Sequence, residues 1–361
     1  MGNEQLVSQG SDQITIADPQ VDIVTGGFDV ATSMILALEF LASQDYLDGL
    51  RVKNLPESLI LQTEELVDNP KALLMRSEEL FNQAFDALRE FYRESEGPIL
   101  IPYSGGRDSS SIFALTLLLN SLEFDNSRRI ILVTALTGFA GNLQAPREQA
   151  EKIVEQIRSL GIQTNIDLNT DHYYMDLSGP YSEHVVRSSL EDRDKLGHPG
   201  LCSSCKITME AHLAQAAKQL GAGAVALGYT DLQAMQQWPE QSEAQQAEMQ
   251  TWFRDNYPGI VIGSPLNHVI TLPPDTTLLL AALGLPTDHH KQEMPCAAAR
   301  TNPISMDHQN HAGFVRGKLK KMYPGEISLS TEIPKRTDVD HAAVIMSLKQ
   351  DSNFMSGVFP Q

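Results

Sequence analysis

Seven consecutive residues, Ser104-Gly105-Gly106-Arg107-Asp108-Ser109-Ser110, have the types that grip a polyphosphate. Glycines let backbone amides approach anionic oxygens closely, and the hydroxyls of Ser104, Ser109 and Ser110 add donors. The context agrees. Pro98-Ile99-Leu100-Ile101-Pro102-Tyr103 reads as a short buried strand, and Ser109 to Leu122 reads as a helix whose dipole favours an anion at its start. Asp108 has the wrong sign for a phosphate unless a cation lies between them, which points to Mg²⁺. The Gly-Lys-Ser/Thr ending of a Walker loop is missing, so cleavage of a γ-phosphate is disfavoured. Gly-x-Gly-x-x-Gly is missing too, which argues against a dinucleotide fold. The plain alternative is a Gly-Gly turn capped by Ser and Asp.

Cysteine supplies the second chemistry. There are three in 361 residues, Cys202, Cys205 and Cys296, an odd number and no disulfide framework. Cys202-Ser203-Ser204-Cys205 opens a helix that ends near Leu220, where the dipole favours thiolates for metal ligation or redox work. Cys296 follows Pro295 much farther along. Three thiolates suffice for a 4Fe-4S cluster with one iron left open to a ligand such as sulfide. The residues also allow a catalytic thiol or persulfide, a zinc site completed by His198, or inert structural cysteines. His289-His290 reads as a surface loop, and Trp238 and Trp252 read as core packing more readily than as walls of a base pocket.

These groups need a frame, and the pattern provides one. Residues 1–25 are a polar lead-in, 26–96 an N-terminal helical region, 97–305 the catalytic domain and 306–361 a C-terminal extension. Helices are expected from Ala31 to Leu47 and from Pro70 to Ser95, the latter carrying Leu73, Leu80, Phe81, Phe85 and Leu88 at helical spacing. This region could serve a homodimer. Beyond Gly97 strands alternate with helices: a strand at Ile130-Ile131-Leu132-Val133-Thr134, a helix from Pro146 to Leu160, and a third strand over Ile162 to Leu168. The cysteine helix then leads to a strand at Ala224-Val225-Ala226-Leu227, and another helix spans Asp275 to Leu283. Such alternation predicts an α/β, doubly wound parallel sheet with helices on both faces and ligands at the C-terminal strand ends.

Charge bounds the substrate. Lys plus Arg number 27 against 46 Asp plus Glu, a formal net charge of -19. Nucleic-acid binders draw affinity from phosphate neutralisation, so this balance disfavours tRNA and favours a small-molecule or carrier-bound acceptor. The basic run Arg316, Lys318, Lys320 and Lys321 reads as a solvated helix face. No apolar run is long enough to span a membrane, and no basic-then-apolar leader opens the chain, so a cytoplasmic location is expected.

Ser-Gly-Gly-x-Asp-Ser after a strand resembles the signature of the PP-loop ATP pyrophosphatases, of the adenine nucleotide α-hydrolase-like superfamily. The resemblance implies that Ser104 to Ser110 hold the pyrophosphate part of ATP while a substrate oxygen attacks the α-phosphate. It is closest to the iron-sulfur tRNA thiolases that make 2-thiocytidine or 2-thiouridine. In those enzymes a Cys-x-x-Cys opens a helix ending in Gly-Ala, then a strand and a Gly-His turn. Here Cys202 to Cys205 leads to Gly221-Ala222 and to Gly228-Tyr229-Thr230-Asp231. The later pattern matches Pro265-Leu266, Gly284-Leu285-Pro286 and Pro295-Cys296. It implies nucleotide contacts from Arg107, Thr134, Gly228 and Asp231, a metal set of Cys202, Cys205 and Cys296, and sulfide or a donor protein as sulfur source. Tyr229 replaces the family's His and Leu232 its second Asp, while Cys296-Ala297-Ala298-Ala299 replaces a further Cys-x-x-Cys. Ligases of the same fold imply a runner-up chemistry in which ammonia displaces AMP.

Overall fold

The computed structural model describes residues 34, 37, 39–43, 46, 55–138, 143–230, 232, 239–285, 307–322, 324–334, 341–352, 354 and 355. Six strands form one sheet in the order β5-β4-β1-β2-β3-β6. They are β1 (Ile99–Pro102), β2 (Ile130–Leu136), β3 (His172–Asp176), β4 (Ala224–Ala226), β5 (Val261–Gly263) and β6 (Leu329–Ser330). The first five run parallel, and β6 closes the β3 edge antiparallel. The order reverses between β1 and β4, the topological switch point where open α/β sheets bind ligands.

The labelled helices are α1 (Glu57–Val67), α2 (Pro70–Arg93), α3 (Arg107–Leu122), α4 (Ala145–Ser159), α5 (Ser189–Leu196), α6 (Leu201–Gln219), α7 (Glu243–Asn256), α8 (Asp275–Ala282), α9 (His308–Leu319) and α10 (His341–Leu348). Strand residues alternate between two cores, as period two requires. Ile99, Ile101, Ile130 and Leu132 pack with α2, α3, α4 and α8. Leu100, Ile131, Val133 and Val225 pack with α6 and α10. The doubly wound α/β fold read from the sequence is present.

Helix α2 follows from its residues. Asn69 caps it by accepting from Ala72 N, Pro70 takes the first turn, and Leu73, Leu80, Phe81, Phe85 and Leu88 form the buried stripe. That stripe shares one core with β1, α3 and α8, and the Tyr92 hydroxyl lies 2.7 Å from Thr116 Oγ1 on α3. Arg76 of α2 forks onto Asp275 at 3.1 and 2.8 Å, and Asp275 also accepts from the amides of Thr271 and Leu272. Arg76 is thus the clamp between α2 and the start of α8.

Two expectations are corrected. The third strand is His172–Asp176 and not Ile162 to Leu168, which stays irregular until a helical turn at Leu168–Asp171. Asn165 in that stretch donates to the carbonyls of Asn126 and Arg128 and accepts from Asn120, spending its bonds on the neighbouring turn instead of a ladder. The basic run is only partly solvated: Lys318 Nζ pairs with Asp192 at 2.6 Å beneath the surface, and Arg316 pairs with Glu248. Helix α1 and strands β5 and β6 add to the elements expected from the pattern. Trp252 packs beside Phe253 and Tyr257, as expected of a core residue. Asp231, Trp238, His289, His290 and Cys296 lie outside the described residues.

Candidate active site

The phosphate-type loop sits where the sequence puts it, between the end of β1 and the start of α3. Gly105 has φ of 74°, and Gly106 is the helix N-cap with no side chain to block the first-turn amides. A Cβ on Gly105 would come within 3.0 Å of Pro146 Cα, so the loop is seated against the first turn of α4. Ser104 Oγ accepts from the Gly106 amide at 3.3 Å, and Ser109 Oγ donates to the Gly106 carbonyl at 3.0 Å. Ser104 is exposed and Ser110 fully buried, with Ser110 Oγ 3.4 Å from the Tyr103 hydroxyl.

Helix α8 braces the loop from the other side. Thr276 Oγ1 donates to Asp108 Oδ1 at 3.2 Å, and Arg107 donates to Thr277 Oγ1 at 3.3 Å. The loop's acid and base are thereby both oriented. Thr134 sits one strand away. Its hydroxyl donates to the Tyr103 carbonyl at 2.7 Å and lies 2.8 Å from His172 Nε2. Burial pushes His172 down to about 3, so the ring is neutral, with Nε2 protonated toward Thr134. The sequence reading misses this histidine because it places the third strand too early.

The turn after β4 joins the loop to the cysteine helix. A Cβ on Gly228 would lie 3.6 Å from both Asp108 Cβ and Ser109 N, so the turn lies within van der Waals range of the loop. Next to it, the Tyr229 ring carries the Lys206 ammonium 4.6 Å from its centroid. Lys206 is the neighbour of Cys205. Asp108, Gly228, Thr230 and Thr276 line one narrow crevice. By contrast, a concavity of about 540 Å³ beside Arg93, Gly97, Phe124 and Arg128 adjoins the segment entering β1 and has no part in this arrangement.

Cys202 and Cys205 occupy the first turns of α6 as half-buried thiols. The Tyr181 hydroxyl lies 3.0 Å from the Cys205 carbonyl and 3.2 Å from its Sγ, which orients that thiol. Asp192, held by Lys318, accepts from Ser204 Oγ at 3.1 Å and fixes the start of the helix. His198 turns inward, its Nδ1 accepting from the Gly200 amide at 3.2 Å, and burial pushes it down to about 4. Among the described residues no group of three His, Cys, Asp or Glu is arranged around a metal ion. The donor set among them is therefore two soft thiols on one helix start. That fits part of a thiolate site, whose third expected member is Cys296.

No family model matches the chain, and no curated protein matches it. Among solved structures it is similar to the U34-tRNA thiolase NcsA from Methanococcus maripaludis with its 4Fe-4S cluster. Identity is 14%, the match covers 75% of this chain and 88% of that chain, and the TM-score is 0.37. No helix among the described residues is long and apolar enough to cross a membrane.

Proposed function

We propose that the chain is an ATP pyrophosphatase of the PP-loop type that adenylates an acceptor oxygen and then replaces that oxygen with sulfur. The observation that carries this reading is the Gly228-Tyr229 turn, which touches the Asp108 loop on one side and, through Lys206, the Cys202 and Cys205 helix start on the other. Activation and replacement need two reagents at one carbon, and this turn joins the residues suited to each. Ser104 to Ser110 would cradle the pyrophosphate of ATP, with Asp108 facing Mg²⁺ and Arg107, Thr134, Gly228 and Asp231 completing the nucleotide contacts.

A carbonyl or amide oxygen of the acceptor attacks the α-phosphorus, and pyrophosphate leaves. Sulfide then adds to the activated carbon, and AMP departs with the original oxygen. Cys202, Cys205 and Cys296 would hold a 4Fe-4S cluster, whose open iron supplies a binding place for sulfide. If the sulfur instead arrives as a persulfide on one cysteine, the other attacks the S–S bond and the pair ends as a disulfide. The acidic charge of -19 supports a small-molecule or carrier-bound acceptor over tRNA, and the expected compartment is the cytoplasm.

Asp108→Ala tests the reading. It should abolish pyrophosphate release while circular dichroism stays near wild type and melting changes little, since Asp108 is a partly exposed residue in the first turn of α3. Undiminished pyrophosphate release by the folded variant would remove Asp108 from the chemistry.

A further inference from the structure

Beside the cysteine face of α6 lies a second group of polar side chains that the sulfur chemistry does not use. Glu210 sits one helical turn beyond Lys206 on α6 and is 2% exposed; Glu240, just before α7, is 3% exposed. Neither forms an ion pair among the described residues. Among the described residues, Oε1 of Glu210, Oε2 of Glu240 and Oε1 of the adjacent Gln241 have no hydrogen-bond partner, nor does the Tyr229 hydroxyl. Helix α6 packs against the short helical turn Pro239–Gln241, which brings Glu210 and Glu240 to one region of the interior; the charge of Glu240 raises the proton affinity of Glu210, while Lys206 acts on both in the opposite sense. Buried carboxylate oxygens without partners are expensive, and proteins keep them where a ligand completes them.

We propose that Glu210, Glu240 and Gln241 form a recognition site for a primary ammonium group, next to the Tyr229 turn of the adenylation site. Three unpartnered acceptor oxygens match the three N–H donors of an ammonium head, and its charge favours the ionised form of carboxyls that burial otherwise keeps protonated. A hard divalent cation fits poorly, because it wants six or more oxygens and the described residues offer three. The net charge of -19 draws cations toward the molecule. Two sources share this chemistry: free ammonium, acting as a nitrogen nucleophile, or the amino end of the acceptor. The inference rests on the adenylation step of the proposed function and not on its sulfur step.

The test uses the full-length protein without ATP, melted in the presence of ammonium chloride, ethylamine or 1,4-diaminobutane. Sodium chloride, ethanol and magnesium chloride serve as controls. The expected result is a concentration-dependent rise in melting temperature with the ammonium compounds alone. Glu210→Gln and Glu240→Gln should each weaken the response about tenfold or more. Melted without ligand above about pH 8, where burial no longer keeps the two carboxyls protonated, both variants should melt at or above the wild type, because an uncompensated buried charge is gone; a purely structural pair would melt lower. Stabilisation by ammonium and not by the larger amines identifies free ammonium as the ligand, and the reverse identifies an amine-bearing acceptor. A response to magnesium alone, an equal response in the glutamine variants, or no response to any ammonium compound would overturn the site. Pyrophosphate release, assayed separately, reports on the adenylation reading: amine binding with no pyrophosphate release would keep the site and remove that reading.

Discussion

Gly105→Ala probes how firmly the phosphate loop is seated. Two costs add. The φ of 74° is left-handed, worth about 1–2 kcal/mol against an L side chain. The new methyl also meets Pro146 Cα at 3.0 Å, a backbone contact that must give way; overpacking of this kind costs about 1–3 kcal/mol. Gly161 separates the two effects. Its φ is 79° and a methyl added there would meet nothing within 4 Å, so Gly161→Ala bears the strain alone. With about 2 kcal/mol between them, Gly105→Ala should melt roughly 3 °C below Gly161→Ala by circular dichroism. Calorimetric titration with ATP should show affinity lost in the first variant and kept in the second, because only the first displaces the loop from α4. Equal melting temperatures together with unchanged ATP affinity in Gly105→Ala would refute the seating of the loop on Pro146.

Other outcomes follow from the same geometry. Arg76→Ala leaves Asp275 buried and unpaired, so it should destabilise the protein by about 3–5 kcal/mol in urea unfolding and weaken ATP binding through the loosened start of α8. Single changes Cys202→Ser, Cys205→Ser and Cys296→Ser should each remove sulfur transfer and spare ATP binding, since serine is a poor ligand for soft metals; retained transfer in Cys296→Ser would leave a two-thiol relay. Burial pushes Glu210 up to about 8 and Glu240 up to about 7. The folded state therefore holds protons that the unfolded chain has released above about 4.5, and stability falls as pH rises from about 5 to 8. The slope is at most about 1.4 kcal/mol per pH unit for each group, and melting curves of the Glu210→Gln, Glu240→Gln double variant should be flatter across that range.

What can be read in the sequence is local. Ser104 to Ser110 announces itself because a Gly-Gly turn between an apolar strand and a helix needs no distant partner to take shape. The two thiols of Cys202 and Cys205 are legible for the same reason, being one helical turn apart. Long-range partners are not. Lys318 looks like a surface charge until Asp192 is brought beneath it, and Glu210 and Glu240 look like ordinary polar positions until α6 and the start of α7 bury them together. The third strand is hidden because Ile162 to Leu168 alternates in the manner of a strand while the true one begins with His172, whose ladder partner Leu132 and side-chain partner Thr134 lie on β2, distant in sequence.

The central claim is that ATP is cleaved between its α- and β-phosphates to activate an acceptor. Phosphorus NMR of the protein with ATP, Mg²⁺ and a pool of small cellular metabolites tests it most directly. The account predicts AMP and pyrophosphate in equal amounts, abolished by Asp108→Ala; ADP and orthophosphate as the products would contradict it.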